Sequence, residues 1–240
     1  MLERTIWMLW LQGWENAPEI SRASLRTWRR ANPSWSVRAL TASDIPEVLD
    51  GDDLMALVPG RRVQPTAYAN LIRTALLRRY GGVWADSTTY CLRPLDDWLH
   101  DAMPCGFFAF SNPGPDRMLS NWFLAAEKGD YLIDQWYAGC AAYWSSRTER
   151  HTYFWHHYLF AELYDRDPKF RARWDATPKI PARIPLHFAP WADKLLGPLS
   201  PTDRELIESA AMPMLKLNRR IDPEGCGASS AYRFLLDRGS

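Results

Sequence analysis

Apolar and polar positions along the chain fall into two periods, and their order alternates strand with helix. Thr5 to Leu11 is an apolar run that breaks at Gln12-Gly13-Trp14, which predicts an opening strand with a polar end. Pro18 to Arg30 carries Ile20, Leu25 and Trp28 at helical spacing and is closed by Asn32-Pro33, and Trp35 to Leu40 alternates as a strand. This is a βαβ opening, which predicts an α/β fold without fixing a function. Asp44 to Val63, punctuated by prolines and glycines and carrying Asp50, Asp52 and Asp53, predicts a short helix and loops with solvated acids.

The stretch from Gln64 to Leu95, QPTAYANLIRTALLRRYGGVWADSTTYCLRPL, organises the rest. At about 100° per residue, Tyr68, Ala69, Leu71, Ile72, Ala75 and Leu76 share one broad helical face, with Asn70, Arg73 and Thr74 opposite. Pro65 and Thr66 suit the start of this helix, and Gly81-Gly82 supply the positive-φ residues that end it. Val83-Trp84-Ala85 then predicts a brief buried strand, and Asp86 is the first charge after it. Ligands of open α/β sheets bind just beyond the carboxyl ends of strands, so Asp86 stands where a site is expected.

Beyond it, Ser87 to Leu92 continues strand-like, Pro94 to Leu99 starts a short helix, and Gly106 to Phe110 is a buried strand ending in the turn Ser111 to Pro115. Asp130 to Asp165 is helical, with Leu132, Trp136, Cys140, Tyr143 and Trp144 at helical spacing. His156 and His157 are adjacent there and point about 100° apart, which suits packing better than sharing an ion. Arg171 to Pro198, rich in proline and aromatics, predicts an extended irregular segment. Pro201 to Ala211 predicts a helix, and the tail from Asn218 predicts little order until a last helical turn near Tyr232 to Leu236.

The order of polar residue, two apolar residues, Arg, helical run, Tyr-Gly-Gly, apolar-aromatic-apolar and Asp resembles the donor-sugar motif of "DXD" glycosyltransferases. The likeness is greatest to the capsular-polysaccharide-synthesis and family-32-like group, with a more distant similarity to the large clostridial glucosylating toxins. A weaker likeness covers residues 6–125. The resemblance implies a GT-A-like (Rossmann-like) α/β domain, with a central mixed sheet flanked by helices and a helical second half. On that reading residues 1–125 bind the nucleotide-sugar, residues 126–197 form a helical and loop part on the acceptor side, and residues 198–240 are a C-terminal helix and tail.

The same resemblance assigns roles. Asn70 and Arg73 correspond to the pair that hydrogen-bonds the sugar hydroxyls, and Asp86 to the first acid of the motif. Trp10 and Gln12 correspond to the segment that holds the base; on their own they also read as a core indole and a surface amide. Ser120 to Glu127 is similar to an Asn-containing helix start, where Asn121 either touches the ligand or caps the helix. His187, Trp191 and Lys194 match a late loop that closes over the donor diphosphate. Thr88 departs from the pattern, standing where the second acid is common. Mn²⁺ and Mg²⁺ prefer carboxylate oxygens to a neutral hydroxyl, so the implied ion would rest on Asp86 alone. A metal-free site would meet the diphosphate's charge with Arg73, Lys194 or a late arginine.

Implied partners are a nucleotide-diphosphate sugar donor and a glycan acceptor, with retention of anomeric configuration and the leaving phosphate taking the acceptor's proton. A sugar- or nucleotide-binding relative that has lost transfer, and a transferase acting on a protein, remain alternatives.

Composition adds limits. With 240 residues the chain suits one well-buried domain. Lys plus Arg number 29 against 28 acids, a net +1 that argues against nucleic acid or a polybasic membrane patch. The 13 tryptophans exceed what a core needs and leave rings for stacking on bases or sugars. Four cysteines without CxxC spacing read as free thiols in a reducing compartment. Ile6 to Leu11 is far short of the roughly 20 apolar residues of a membrane span, so a cytoplasmic location without a transmembrane segment is expected.

Overall fold

The computed structural model describes residues 1–49, 64–184, 186–187 and 193–239. Asp50, Asp52, Asp53 and Trp191 lie outside the described residues.

Strand β1 (Thr5–Leu9), helix α1 (Glu19–Ala31) and strand β2 (Ser36–Leu40) form the expected opening, with β1 and β2 parallel and Ile6 opposite Val37. After the short helix α2 (Ile45–Val48), α3 (Pro65–Tyr80) leads into β3 (Gly82–Ala85), which lies parallel to β1 with Trp84 opposite Trp7. Next come β4 (Thr89–Cys91), the short helix α4 (Leu99–Ala102), β5 (Phe107–Gly114) and β6 (Arg117–Ala126). The central sheet has the order β2-β1-β3-β6-β5, and β6 runs antiparallel to both of its neighbours. It is a mixed sheet flanked by helices.

Side chains of a strand alternate between faces, and here both faces are apolar because both are covered. Trp7, Leu9, Trp84 and Leu124 join the core built with α3 and the later helices. Ile6, Met8, Val83 and Phe123 join a second core that includes Leu25 and Trp28 of α1. Gly81 (φ 75°) ends α3, and Gly82 (φ 94°) starts β3 in a gap too narrow for a side chain. A Cβ on Gly82 would lie 2.5 Å from the Thr5 carbonyl oxygen.

Three expectations are corrected. Ser120 to Glu127 is no helix start, because Asn121 lies within β6, whose side chains from Leu119 to Ala126 supply both cores. Arg171 to Ala176 is helical, in α7 (Pro168–Ala176). The Asp167 side chain accepts from the Lys169 and Phe170 amides there, and Pro168 sits in the first turn, where a missing N–H costs nothing. The tail from Asn218 is ordered by a 3₁₀ turn (Pro223–Gly225) and a final helix Ala231–Arg238, whose N-terminus Ser230 caps.

The helical region expected from Asp130 to Asp165 is two helices, α5 (Tyr131–Ser145) and α6 (Trp155–Arg166). The strand β7 (Leu186–His187), helices α8 (Asp193–Leu196) and α9 (Pro201–Glu208), strand β8 (Met214–Lys216) and helix α10 (Ala231–Arg238) complete the chain. A second sheet has the order β4-β8-β7. It ties the C-terminal part to the strand that follows Asp86, with Thr89 opposite Lys216. Among the described residues no helix is long and apolar enough to cross a membrane.

Candidate functional site

The carboxyl ends of β1 and β3 open into a cleft of about 510 Å³, lined in part by Trp10, Asn70, Arg73, Asp86, Thr88 and Asn121. Its centre is Asp86. Its backbone N–H donates to the Trp122 carbonyl of β6 (2.9 Å), and its own carbonyl accepts from the Thr89 amide (2.8 Å), so a tight turn fixes the carboxylate at the end of the strand.

The polar face of α3 points into this site instead of into water. Asn70, Arg73 and Thr74 are all buried. Arg73 donates to Asp86 Oδ1 at 3.1 Å and to the Asn121 carbonyl, and its guanidinium lies 4.9 Å from the centre of the Trp84 ring. The Trp84 indole N–H donates to the same Asp86 oxygen at 2.9 Å. A buried guanidinium is tolerated only when paired and hydrogen-bonded, and these contacts meet that condition.

The other carboxylate oxygen belongs to a residue that the sequence reading did not find. Lys216 Nζ lies 3.3 Å from Asp86 Oδ2 and also donates to Thr88 Oγ1. Burial opposes ionisation of Asp86, yet Arg73 and Lys216 together with the Trp84 N–H outweigh it and hold the carboxyl below its ordinary value. Burial likewise pulls Lys216 below its usual range, with Asp86 acting against it.

Behind this layer lies a second. Asn121 Nδ2 donates to Asn70 Oδ1 (3.1 Å) and meets His156 Nδ1 (3.2 Å), while His156 Nε2 meets Thr74 Oγ1 (3.0 Å). The Thr74 hydroxyl already donates to the Asn70 carbonyl (2.8 Å), so the network assigns the His156 proton to Nε2. The ring stacks on Trp136 with 4.0 Å between centroids. Burial, then the nearby Arg73, keeps His156 neutral, with a pKa well below the ordinary value. His157 lines the cleft, and burial followed by Arg73 and Arg117 lowers its pKa to about 3.

The remaining expected residues divide. Trp10 and Gln12 both line the cleft. The Arg219 guanidinium lies 5.4 Å from the centre of the Trp10 ring, and the Trp10 indole N–H is buried without a hydrogen-bond partner. His187 falls on β7, in register with Lys216 of β8. Lys194 is exposed on α8 and does not line the cleft. The cations that do line it besides Arg73 are Arg150, Lys216, Arg219 and Arg220, against Asp86 as the one carboxylate among the described lining residues. A signal for three of them was present: Lys216-Leu217-Asn218-Arg219-Arg220 puts three cations in five positions after the apolar Met214-Leu215.

These residues do not fit the divalent ion that the resemblance implies. Among the described residues no three His, Cys, Asp or Glu side chains gather in a way that could hold a metal. Asp86 is the only carboxylate among the described residues that line the cleft, and both of its oxygens already accept from cations. A hard divalent ion takes several oxygen ligands and is repelled by adjacent ammonium and guanidinium groups. The chemistry the cleft does support is the binding of an anion with hydroxyl groups nearby: cations surround one acceptor carboxylate, an amide pair stands alongside, and an indole lines the mouth.

Comparison with known proteins gives a consistent picture. The family model described as "capsular polysaccharide synthesis protein" matches residues 1–232. Curated relatives include the O-glycosyltransferase braB of Annulohypoxylon truncatum, 27% identical over a 164-residue alignment that covers 61% of this chain and 39% of the relative. Another is the glycosyltransferase afumC of Aspergillus fumigatus, 31% identical over 163 residues, 60% of this chain and 41% of the relative. The chain thus spans about two fifths of the length of these relatives. Among solved structures, the PaToxG glycosyltransferase aligns over 72% of this chain and 73% of its own, with 12% identity and a TM-score of 0.49. The UDP-bound glycosyltransferase domain of the YGT toxin aligns over 95% of this chain and 81% of its own, with 9% identity and a TM-score of 0.43. Both structures are too distant to bear on function.

Proposed function

Because this chain belongs to the capsular polysaccharide synthesis protein family, we propose that it is a GT-A-like glycosyltransferase moving a sugar from a nucleotide-diphosphate sugar to a glycan acceptor in surface polysaccharide synthesis. The observation that carries this reading is the Asp86–Arg73 ion pair at the carboxyl end of β3, set in a cleft where, among the described residues, five Lys or Arg side chains face one carboxylate. A diphosphate needs that excess of positive charge, and a sugar needs the paired donors and acceptors beside it. The names of the curated relatives, which are glycosyltransferases, agree.

In this reading Trp10 stacks on the base beside Gln12, and Arg219 and Arg220 take the diphosphate. Asn70, Arg73 and Asp86 orient the sugar, with Asn121 holding Asn70 in place. Transfer with retention suits the site. Asp86 is committed to two cations, and His157, with its pKa near 3, is too weak a base to draw a proton from a hydroxyl. Among the described residues of the cleft this leaves the leaving phosphate as the base, in keeping with the retention that the resemblance implies.

The test is nucleotide release from a panel of nucleotide sugars, each with and without glycan acceptors. Slow release from one donor, abolished in Asp86→Ala and accelerated by an acceptor, is the expected result. Tight binding of a donor without release on any acceptor would replace this reading with that of a binding protein.

A further inference from the structure

The cleft contains a cation of its own at the place where a metal-dependent relative of the DXD pattern would hold an ion. Lys216 Nζ bridges Asp86 Oδ2 and Thr88 Oγ1, the two side chains that fill the first and third positions of that pattern here. Only 11% of the Lys216 side chain is exposed, an unusual degree of burial for lysine outside a paired site. The position is built into the sheet. Lys216 ends β8 opposite Thr89 of β4, and the next amide, Leu217 N–H, donates to the Thr88 carbonyl at 2.7 Å. Neither partner can drift from the other without breaking the strand pair.

We infer that Lys216 is the resident cation of this site: its ammonium, held between Asp86 and Thr88, neutralises the leaving diphosphate in place of a divalent ion. The inference rests on the transferase reading above and deepens it. An ammonium has three N–H donors, and the two protein contacts leave one for a phosphate oxygen. Thr88 fits this arrangement. Its neutral hydroxyl accepts from the ammonium without adding the negative charge that a second acid would need a metal to balance. Asp86, Arg73 and Lys216 together carry one net positive charge, and Arg219 and Arg220 stand on the same cleft. During transfer the bond between the anomeric carbon and the diphosphate oxygen breaks and its electron pair stays on the diphosphate. The acceptor oxygen forms the new bond, and its proton passes to the diphosphate. Lys216 changes neither its bonds nor its proton; it stabilises the charge that develops.

The experiment combines calorimetry with UDP, GDP, ADP and CDP and electron paramagnetic resonance of Mn²⁺ on the full chain. Wild type is expected to bind one of these nucleotides equally well with a chelator and with Mn²⁺, and to leave the Mn²⁺ signal that of the free ion. Lys216→Met is expected to weaken that binding by about tenfold to a hundredfold, the cost of one charged hydrogen bond, while Lys216→Arg retains more of it. Circular dichroism checks that both fold. The double variant Thr88→Asp, Lys216→Ala restores two acids around an empty position and is expected to gain Mn²⁺-dependent binding. If the wild type needs Mn²⁺ to bind a nucleotide, or Lys216→Met binds as tightly as the wild type, the role of Lys216 is overturned while the transferase reading stands. If no nucleotide binds with or without Mn²⁺, the transferase reading fails and the inference falls with it.

Discussion

Asp86 does more for this protein than face a ligand. Its carboxylate balances two cations that are almost wholly buried, Arg73 with 6% and Lys216 with 11% of the side chain exposed. Removing one partner of such a cluster leaves uncompensated charge, so Asp86→Asn is expected to cost about 3 kcal/mol of stability, read by urea unfolding. The pH dependence follows from the direction of the shift. The folded carboxyl titrates below its unfolded value of about 3.9, so its contribution is present above that pH and is lost as the pH falls through the lower folded value. The stability gap between wild type and Asp86→Asn is therefore expected to be constant near neutrality and to close in acid. A gap that widened in acid would mean that the pair does not stabilise the fold.

At the scale of elements, the unit from α3 to β3 was legible because each of its signals is local. A helical stripe, a glycine pair and a short apolar strand need no tertiary information, and Asp86 follows them directly. The glycine pair carries its own test. Gly82→Ala would place a Cβ 2.5 Å from the Thr5 carbonyl at φ 94°, and both penalties act at the junction of β1 with β3. A loss of about 2 kcal/mol or more in urea unfolding is expected, together with weaker nucleotide binding, because the shift is passed to Asp86 four residues on. What the sequence hid depends on pairing. The apolar run Trp122 to Ala126 is compatible with a helix or a strand, and only its ladder with β3 and β5 decides for the strand. β8 is three residues long, too short to have a period, and its partner β4 is more than a hundred residues away in sequence. The cationic run at Lys216 could be seen, but that it meets Asp86 could not, for that reason. Lys194, expected from the likeness to a late loop, is exposed on α8 and does not line the cleft.

Across the whole molecule the charges nearly cancel, at net +1, while among the described residues the cleft gathers Arg73, Arg150, Lys216, Arg219 and Arg220 against Asp86 alone. Such a concentration in a concave site focuses the field on an incoming anion, and salt screens it over about 10 Å at 0.1 M. Nucleotide affinity is thus expected to fall steadily as NaCl is raised, with the loss mainly in the association rate. Arg219→Glu reverses a charge beside Trp10 and should lower affinity by about tenfold or more while flattening the salt dependence. Arg29→Glu, an exposed position on α1 that does not line the cleft, makes the same change in net charge and should leave both quantities as they are. Stopped-flow binding across a salt series separates the two cases. Equal effects from both variants would assign the attraction to overall charge, and the concentration of cations around Asp86 would then have no part in drawing the ligand in.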